Sequence, residues 1–379
     1  MKIETKKNMQ RAFQIILFSF CLVSAGSLSV RPANSQTAEK SPVITDINDP
    51  SAGTGANQGT LATAINSKGV IAGNYWDSNS VAHGFVLANG TFTTYDDPDA
   101  GTSAGQGTGG FYGINTAGVV AGNYIDSNNA YHGLVIAANG TITNFNVSGA
   151  GTGTGEGTTP MAIDSAGDIA GTYIDSNGVW HGFVRSHKKG NPITTFDAPG
   201  AGTGSGQGTQ SYSINSAGVI AGCYRTDAGE QYGFVRAVDG TITSIGDPSY
   251  AGTYAYGINT AGTIVGNVWE GGEGGSGMID SEGNFSIFTD PGEGTGNGQG
   301  TTGFSINSAG DTTGWYIDAN NAYHGWVRTS KGVLTSFDVP GDGSGSGQGT
   351  IPYAIDNAST VVGYYVDSSS VVHGFSRSN

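Results

Sequence analysis

Five histidines occupy one position of a repeated segment in this 379-residue chain, and histidine is the side chain most used for proton transfer and metal binding. Equivalent positions on separate repeats are held apart by the repeat spacing, so they cannot converge on one metal ion at about 2 Å. Catalysis does not need five copies of one base. The pattern therefore favours a histidine that bonds to a neighbouring turn in each repeat. The five are His83, His132, His181, His324 and His373.

Aspartates recur at the start of the turn that precedes these histidines. Carboxylates collected on one face beside flexible glycine-rich loops could bind Ca²⁺, which takes about six to eight oxygen ligands. The chain has no EF-hand loop, and a repeated Asp-Ser-Asn is also typical of turns that need no ion. Both interpretations stay open, and calcium is the one cofactor that the sequence suggests. The candidate ligands are Asp77, Asp126, Asp175, Asp318 and Asp367, and the same face would collect Asp97, Asp99, Asp197, Asp247, Asp290, Asp338 and Asp342.

Aromatic residues directly precede three of the repeat histidines, namely Tyr131, Trp180 and Tyr323. Rings at this position could stack on the sugar rings of a glycan. They could equally pack between neighbouring repeats, where aromatic pairs commonly lie.

The fourth and fifth repeats break the pattern, and ligands rarely need a fully symmetric surface. The connection between them is short, because Ile245 and Ile258 are 13 residues apart whereas Phe196 and Ile214 are 18 apart. We expect a notch in the rim at this place. Paired carboxylates there could serve acid–base chemistry on a glycan, although relaxed constraint on a degenerate repeat explains the same facts. The notch residues are Asp247, Tyr250, Tyr254, Glu270 and Glu273.

Seven repeats of about 49 residues organise the chain that carries these side chains. Each copy reads as four short strands separated by Asn-x-Ala-Gly, Asp-Ser-Asn and Asn-Gly turns. The 66 glycines exclude long helices, because glycine costs about 1 kcal/mol per helical position. Repeats of this length are typical of propeller blades. The copies begin at Ile65, Ile114, Ile163, Ile214, Ile258, Ile306 and Ile355.

The two ends of the repeat array are complementary. Residues 43–60 align with residues 193–209, so the array opens on a fourth strand, and the chain stops just after a third strand. A fourth strand from the start would complete the last blade and leave no open sheet edge. The sequence therefore predicts an all-β, seven-bladed β-propeller closed by its N-terminal strand, with a β-solenoid as the alternative.

The repeated pattern Ile-Asn-x-x-Gly-x-(Val/Ile)-x-Gly…His-x-Phe resembles the bacterial extracellular HAF-repeat family, which is named for a His-Ala-Phe triplet. Here the triplet reads His-Gly-Phe at His83, His181 and His373. The resemblance covers roughly residues 43–379. It implies an exported repeat protein and supplies no established reaction, ligand or functional residue.

Residues 1–35 have the layout of a secretory signal peptide. Lys2, Lys6, Lys7 and Arg11 precede an apolar run that starts at Phe13, and small residues follow. We expect cleavage after Ser35, with Ala25 as the alternative site and an uncleaved anchor as the alternative fate. Residues 36–42 would form a short linker and 43–379 the propeller. The sequence therefore predicts a secreted protein, extracellular or periplasmic, without membrane insertion once the signal is removed.

The net charge of the chain limits the classes of partner that it could bind. The whole chain carries −15, and residues 1–35 hold five basic residues against one acidic residue, which leaves −19 on the remainder. Such a surface repels nucleic acid and anionic membranes. We therefore expect a monomeric, non-catalytic module that binds a glycan or a protein through its Asp/Asn/Gly-rich loops. The alternative is a secreted glycan hydrolase or lyase that uses the carboxylates of the notch.

Overall fold

The computed structural model describes residues 41–246, 250, 252–270, 273–279 and 283–378. Over these residues the chain forms 28 β-strands, and none of its segments is a helix long and apolar enough to cross a membrane. The strands group into seven four-stranded antiparallel blades around a central axis. This architecture confirms the predicted seven-bladed propeller.

Each blade runs from an inner first strand to an outer fourth strand. Blade 1 holds β2 (Gly59–Ile65), β3 (Ile71–Trp76), β4 (Ala82–Ala88) and β5 (Thr91–Tyr95). Blade 2 holds β6 (Gly107–Ile114), β7 (Val120–Ile125), β8 (Tyr131–Ile136) and β9 (Ile142–Phe145). Blade 3 holds β10 (Gly157–Ile163), β11 (Ile169–Ile174), β12 (Trp180–Arg185) and β13 (Ile193–Phe196). Blade 4 holds β14 (Gly208–Ile214), β15 (Ile220–Arg225), β16 (Gln231–Arg236) and β17 (Ile242–Ile245).

The remaining three blades repeat the arrangement. Blade 5 holds β18 (Gly252–Ile258), β19 (Ile264–Glu270), β20 (Glu273–Ile279) and β21 (Phe285–Phe288). Blade 6 holds β22 (Gly300–Ile306), β23 (Thr312–Ile317), β24 (Tyr323–Arg328) and β25 (Leu334–Phe337). Blade 7 holds β26 (Gly349–Ile355), β27 (Val361–Val366), β28 (Val372–Ser378) and, from the start of the propeller, β1 (Val43–Ile47).

Closure of the ring depends on β1, which pairs antiparallel with β28 over its full length. Gly59, the first residue of β2, also pairs with Val372 of β28, and this is the same contact that joins every other pair of neighbouring blades. A linear solenoid would leave these two ends apart, so that alternative is wrong.

Glycine begins each first strand, and at five of these positions the neighbouring blade lies too close for a side chain, namely at Gly59, Gly107, Gly157, Gly208 and Gly349. Gly107 has a φ of 116° and pairs in parallel register with Ala82 of blade 1. A Cβ atom on Gly107 would overlap the main-chain oxygen of Ala82. Close approach and backbone conformation both require glycine here.

The hydrophobic core lies between the blades. The fully buried aromatic ring of the third strand packs edge-on against the fourth-strand ring of the preceding blade, as Phe183 does with Phe145 at 6.0 Å between ring centroids. Arg185 then covers the outer ring, with its guanidinium 4.9 Å from the Phe145 centroid. Edge-to-face ring pairs of this kind add to the stability that their burial contributes. Equivalent ring pairs are Phe196–Phe234, Phe288–Trp326 and Phe337–Phe375.

Candidate functional site

Two faces of the propeller present polar side chains. The loop face carries the turn between the second and third strands of each blade and the long connections from one blade to the next. The mouth face carries the turn between the first and second strands and surrounds one end of the central channel.

A glutamine side chain holds five of the long connections of the loop face, and Glu156 takes its place in the connection between blades 2 and 3. The Gln106 side-chain oxygen accepts a hydrogen bond from the Ser103 backbone N–H at 3.1 Å, and its amide nitrogen donates to Ser127 O at 3.3 Å in the blade 2 turn. On the other side, Gly105 N donates to Ser80 O of the blade 1 turn at 2.8 Å. This connection therefore ties two neighbouring turns together.

The repeat histidine lies between two carboxylates on this face. In blade 1, His83 Nδ1 is 2.8 Å from Asp96 Oδ1, and His83 Nε2 is 3.8 Å from Asp77 Oδ2. The imidazole stacks on the Tyr75 ring at 4.9 Å between centroids. The same stack recurs on four other blades, in the pairs Tyr124–His132, Tyr173–His181, Tyr316–His324 and Tyr365–His373.

The five candidate calcium ligands direct a carboxylate oxygen to their own turns. Asp77 Oδ1 accepts hydrogen bonds from the backbone N–H groups of Asn79 and Val81, both at 2.8 Å. Partial burial raises the pKa of Asp77, but these N–H donors and nearby His83 outweigh it and lower the pKa overall. The pKa values of Asp126, Asp175, Asp318 and Asp367 are lowered in the same way.

Calcium binding at these aspartates remains a prediction. Each aspartate belongs to a separate blade, and the described residues contain no group of three or more His, Cys, Asp or Glu side chains placed to hold a metal ion.

The carboxylates on the other side of the histidines are more accessible. The side chains of Asp96, Asp197 and Asp338 are 50–52% exposed, and each is held by a histidine Nδ1 at 2.8–2.9 Å. Asn146 takes the equivalent place in blade 2 and contacts His132 Nδ1 at 3.1 Å. Sequence reasoning passed over Asp96, although alignment of the repeats places it with Asp197 and Asp338.

The aromatic candidates lie at the seams between blades. Tyr131, Trp180 and Tyr323 each begin a third strand, and each donates its backbone N–H to the connection that follows its blade, at 2.8 Å. The Tyr323 ring packs against the buried cluster that contains Ile351 and Tyr364. Burial raises the pKa of Tyr131 to about 12. Their contacts are those of interblade packing, and sugar stacking by these rings stays a prediction.

The notch residues are only partly described. Asp247 lies outside the described residues, Tyr250 is partly buried, and Tyr254 stacks on Tyr256 at 5.5 Å. The backbone register places Glu270 opposite Glu273 across the β19–β20 pair, and their side chains lie outside the description. The backbone therefore brings Glu270 and Glu273 opposite each other, and their use as a pair of catalytic carboxylates stays a prediction.

The mouth face contains a cavity of about 240 Å³ that sequence reasoning missed. Every blade contributes the last residue of its first strand and the two residues that follow, an Ile-(Asn/Asp)-(Ser/Thr/Asn) triplet. The triplet is visible in the sequence because it recurs in all seven copies, although there it serves only to mark where each copy begins. Its central position holds Asn66, Asn115, Asp164, Asn215, Asn259, Asn307 and Asp356.

Side-chain amides connect the blades around this cavity. Asn66 Nδ2 donates to Asn115 O at 2.9 Å, and Asn115 Nδ2 donates to Asp164 O at 3.3 Å. Asn215, Asn259 and Asn307 donate in the same way to the next blade, at 3.0–3.2 Å. The amide oxygen of each asparagine meanwhile accepts N–H groups of its own turn. Five of the seven seams are thus closed by an asparagine.

No family model and no curated protein sequence matches the chain. Among solved structures, the β-propeller domain of the Trilobed protease from Pyrococcus furiosus is 7% identical, with a TM-score of 0.52 over 86% of this chain and 94% of that chain. TolB from Acinetobacter baumannii is 12% identical, with a TM-score of 0.40 over 61% of this chain and 54% of that chain, so the chain spans about half of it. The BP39L lectin from Burkholderia pseudomallei is 11% identical, with a TM-score of 0.47 over 88% of this chain and 94% of that chain. At these identities the likeness extends to the fold alone.

Proposed function

We propose that this protein is an exported, non-catalytic module that binds glycans through carboxylates on its loop face. The observation that carries the proposal is the set Asp96, Asp197 and Asp338. Each presents a half-exposed carboxylate at the same place on its blade, and each is fixed by a histidine. Export is supported by the signal-like residues 1–35 and by the resemblance to HAF-repeat proteins.

A fixed carboxylate suits a ligand that donates hydrogen bonds. An ionised carboxylate has about four acceptor positions, and one histidine nitrogen leaves most of them for a ligand. Charge-assisted hydrogen bonds are roughly twice as strong as neutral ones, and an oriented acceptor loses little freedom on binding. The hydroxyl groups of a sugar are donors of this kind.

The same carboxylate recurs on three blades, and this repetition would increase the avidity for a long ligand. A glycan chain that reaches two or three of these carboxylates gains from the effective concentration that the first contact creates. A basic protein would also be attracted to an acidic face, but that attraction is screened by salt. The dependence of affinity on ionic strength therefore separates the two ligand classes.

The test is a glycan and polysaccharide array on the full chain, followed by calorimetry of each hit at low and high salt. The variant Asp96→Asn/Asp197→Asn/Asp338→Asn should weaken binding by at least about tenfold, because each charge-assisted bond contributes about 1.5–3 kcal/mol. Asp239→Asn is the matched control, since Asp239 is an exposed turn aspartate on the mouth-face side of blade 4. The proposal fails if no glycan binds, if the triple variant binds like the wild type, or if a hit is turned over.

A further inference from the structure

Two aspartates interrupt the ring of asparagines at the mouth face. Asp164 Oδ1 accepts the N–H groups of Ala166 and Asp168, as Asn115 Oδ1 accepts those of Ala117 and Val119. By this equivalence Asp164 Oδ2 occupies the place of an amide nitrogen. An amide nitrogen donates a hydrogen bond, whereas a carboxylate oxygen only accepts one.

The seams that follow these aspartates therefore have a surplus of acceptors. In a seam closed by asparagine, the carbonyl oxygen of the next blade accepts two hydrogen bonds, and Asn259 O receives them from Gly262 N and Asn215 Nδ2. Among the described residues, Asn215 O, which follows Asp164, receives a single hydrogen bond, from Gly218 N. Asn66 O, which follows Asp356 around the closed ring, is in the same position with Gly69 N.

Both aspartates line the cavity and are nine-tenths buried or more, at 5% exposure for Asp164 and 8% for Asp356. No group in the described part of the chain donates a hydrogen bond to either Oδ2 atom. Burial raises the pKa of Asp164, and the neighbouring Asp168 raises it further against the N–H groups that bind Oδ1. Each of these two seams therefore holds a buried carboxylate and a carbonyl oxygen that accepts one hydrogen bond instead of two. A ligand that donates hydrogen bonds would supply what the seam lacks.

We propose that the mouth cavity binds small aliphatic diamines or polyamines, with Asp164 and Asp356 as the two anchors. An ammonium group carries three N–H donors and no acceptor, which matches a seam that contains acceptors alone. Calcium needs about six to eight oxygens, and each seam offers one carboxylate oxygen and one carbonyl. The two seams are separated by three blades on one side and four on the other, so an extended dication fits them better than a compact ion.

Exposed side chains at the rim add further partners for such a ligand. Ser165 and Ser216 flank the Asp164 seam, and Asn357 and Ser67 flank the Asp356 seam. The cavity volume of about 240 Å³ favours a small free amine over a folded partner. This site lies on the opposite face from the proposed glycan site, so either proposal can fail without the other.

Calorimetry of the full chain with putrescine and with spermidine, at constant ionic strength and neutral pH, tests the site. We expect saturable binding of both amines and none of butanediol, CaCl₂ or NaCl. Asp164→Asn/Asp356→Asn should weaken amine binding by at least about tenfold, since two charge-assisted anchors are lost. This variant restores the asparagine found in the other five blades, so it should fold.

Asp239→Asn removes one charge on the same side of the propeller but outside the ring, and it should bind amines like the wild type. Amine binding that is absent in the wild type, or unchanged in the double variant, overturns the proposal. If Ca²⁺ bound stoichiometrically and the double variant abolished this binding, the ligand of the cavity would be a metal ion and not an amine. If a lysine-rich peptide bound and the free amines did not, the cavity would be assigned to a protein partner.

Discussion

Val43, the first residue of the first strand, lies opposite Ser378, the last residue of the last strand, in antiparallel register. The pairing continues to Ile47 and Gly374, so five residues from the start of the array complete a blade built by its end. The contact spans nearly the whole sequence and therefore forms only when the ring closes. Stability of the propeller should depend on it.

Ile47→Ala should destabilise the protein by about 2–5 kcal/mol, because Ile47 is 4% exposed and packs with Phe85 and Val362 across the closing seam. Urea unfolding followed by tryptophan fluorescence measures the change. Val43→Ala is the control on the same strand. Val43 is 51% exposed, and its truncation should stay within about 0.5 kcal/mol. Equal effects of the two substitutions would contradict the role of the closing seam.

Gly107→Ala should destabilise more than Gly90→Ala. Both glycines have positive φ, 116° and 76°, so both substitutions force a side chain into a strained backbone. Around Gly90 nothing lies within 4 Å of an added Cβ, and the cost should be about 1–2 kcal/mol. At Gly107 the Cβ also meets the Ala82 main chain, so the seam between blades 1 and 2 must open. Thermal melts of the two variants give the comparison, and a smaller loss for Gly107→Ala would refute the close approach.

Acid should unfold the protein partly through the turn aspartates. Burial raises the pKa of Asp318, but the N–H groups of Ala322 and Asn320 and the nearby His324 lower it overall. The folded state therefore binds the proton less readily than the unfolded chain. The resulting stability is present at neutral pH and is lost as pH falls below the ordinary value of 3.8.

Urea midpoints of the wild type and of Asp318→Asn, taken between about pH 5 and pH 2, check this. Asparagine keeps the Oδ1 acceptor and cannot titrate, so the variant should show a shallower acid dependence. Asp99→Asn, at an exposed position of the same face, is the control for the loss of one negative charge. A slope that is equally steep in Asp318→Asn would count against the assignment.

Asp164→Asn should stabilise the protein at neutral pH. The amide restores the donor to Asn215 O that five other seams possess, and one such hydrogen bond contributes about 0.5–1.5 kcal/mol. Because the pKa of Asp164 is raised, its protonated form can donate in acid, and the advantage of the variant should shrink as pH falls. The reverse change, Asn115→Asp, should destabilise. Midpoints that move in the same direction in both variants would contradict the seam argument.

Cys223 should not react with thiol reagents in the folded state. The residue is fully buried, and burial raises the pKa of its thiol to about 12 against weaker lowering by Tyr212 and Gln231. The thiolate is the reactive species, so almost none is present at neutral pH. In a Cys21→Ser chain this is the sole thiol, and Ellman's reagent should titrate it only in urea. Rapid reaction without denaturant would show that the blade 4 core opens.

The repeat pattern predicted more of the fold than of the candidate sites. The repeated Asn-x-Ala-Gly, Asp-Ser-Asn and Asn-Gly turns are local signals, and an unpaired fourth strand before Ile65 is visible by alignment. The repeat pattern did not predict that Asp96 lies beside His83, because this contact depends on how the third and fourth strands pair within a blade. The aromatic residues before the histidines could be read equally as ligand contacts or as packing, since both uses need the same apolar ring.

The sequence alone determined the number of blades, the four-strand content of each and the complementary ends, because these follow from periodicity and turn chemistry along the chain. Only the tertiary structure showed that the Ile-Asn triplets meet around one cavity and that Asp164 and Asp356 interrupt its ring. Those seven positions are about 49 residues apart in sequence and become neighbours only when the blades pack around the central axis. Whether an asparagine amide or an aspartate oxygen faces the next carbonyl matters only once that carbonyl is in place.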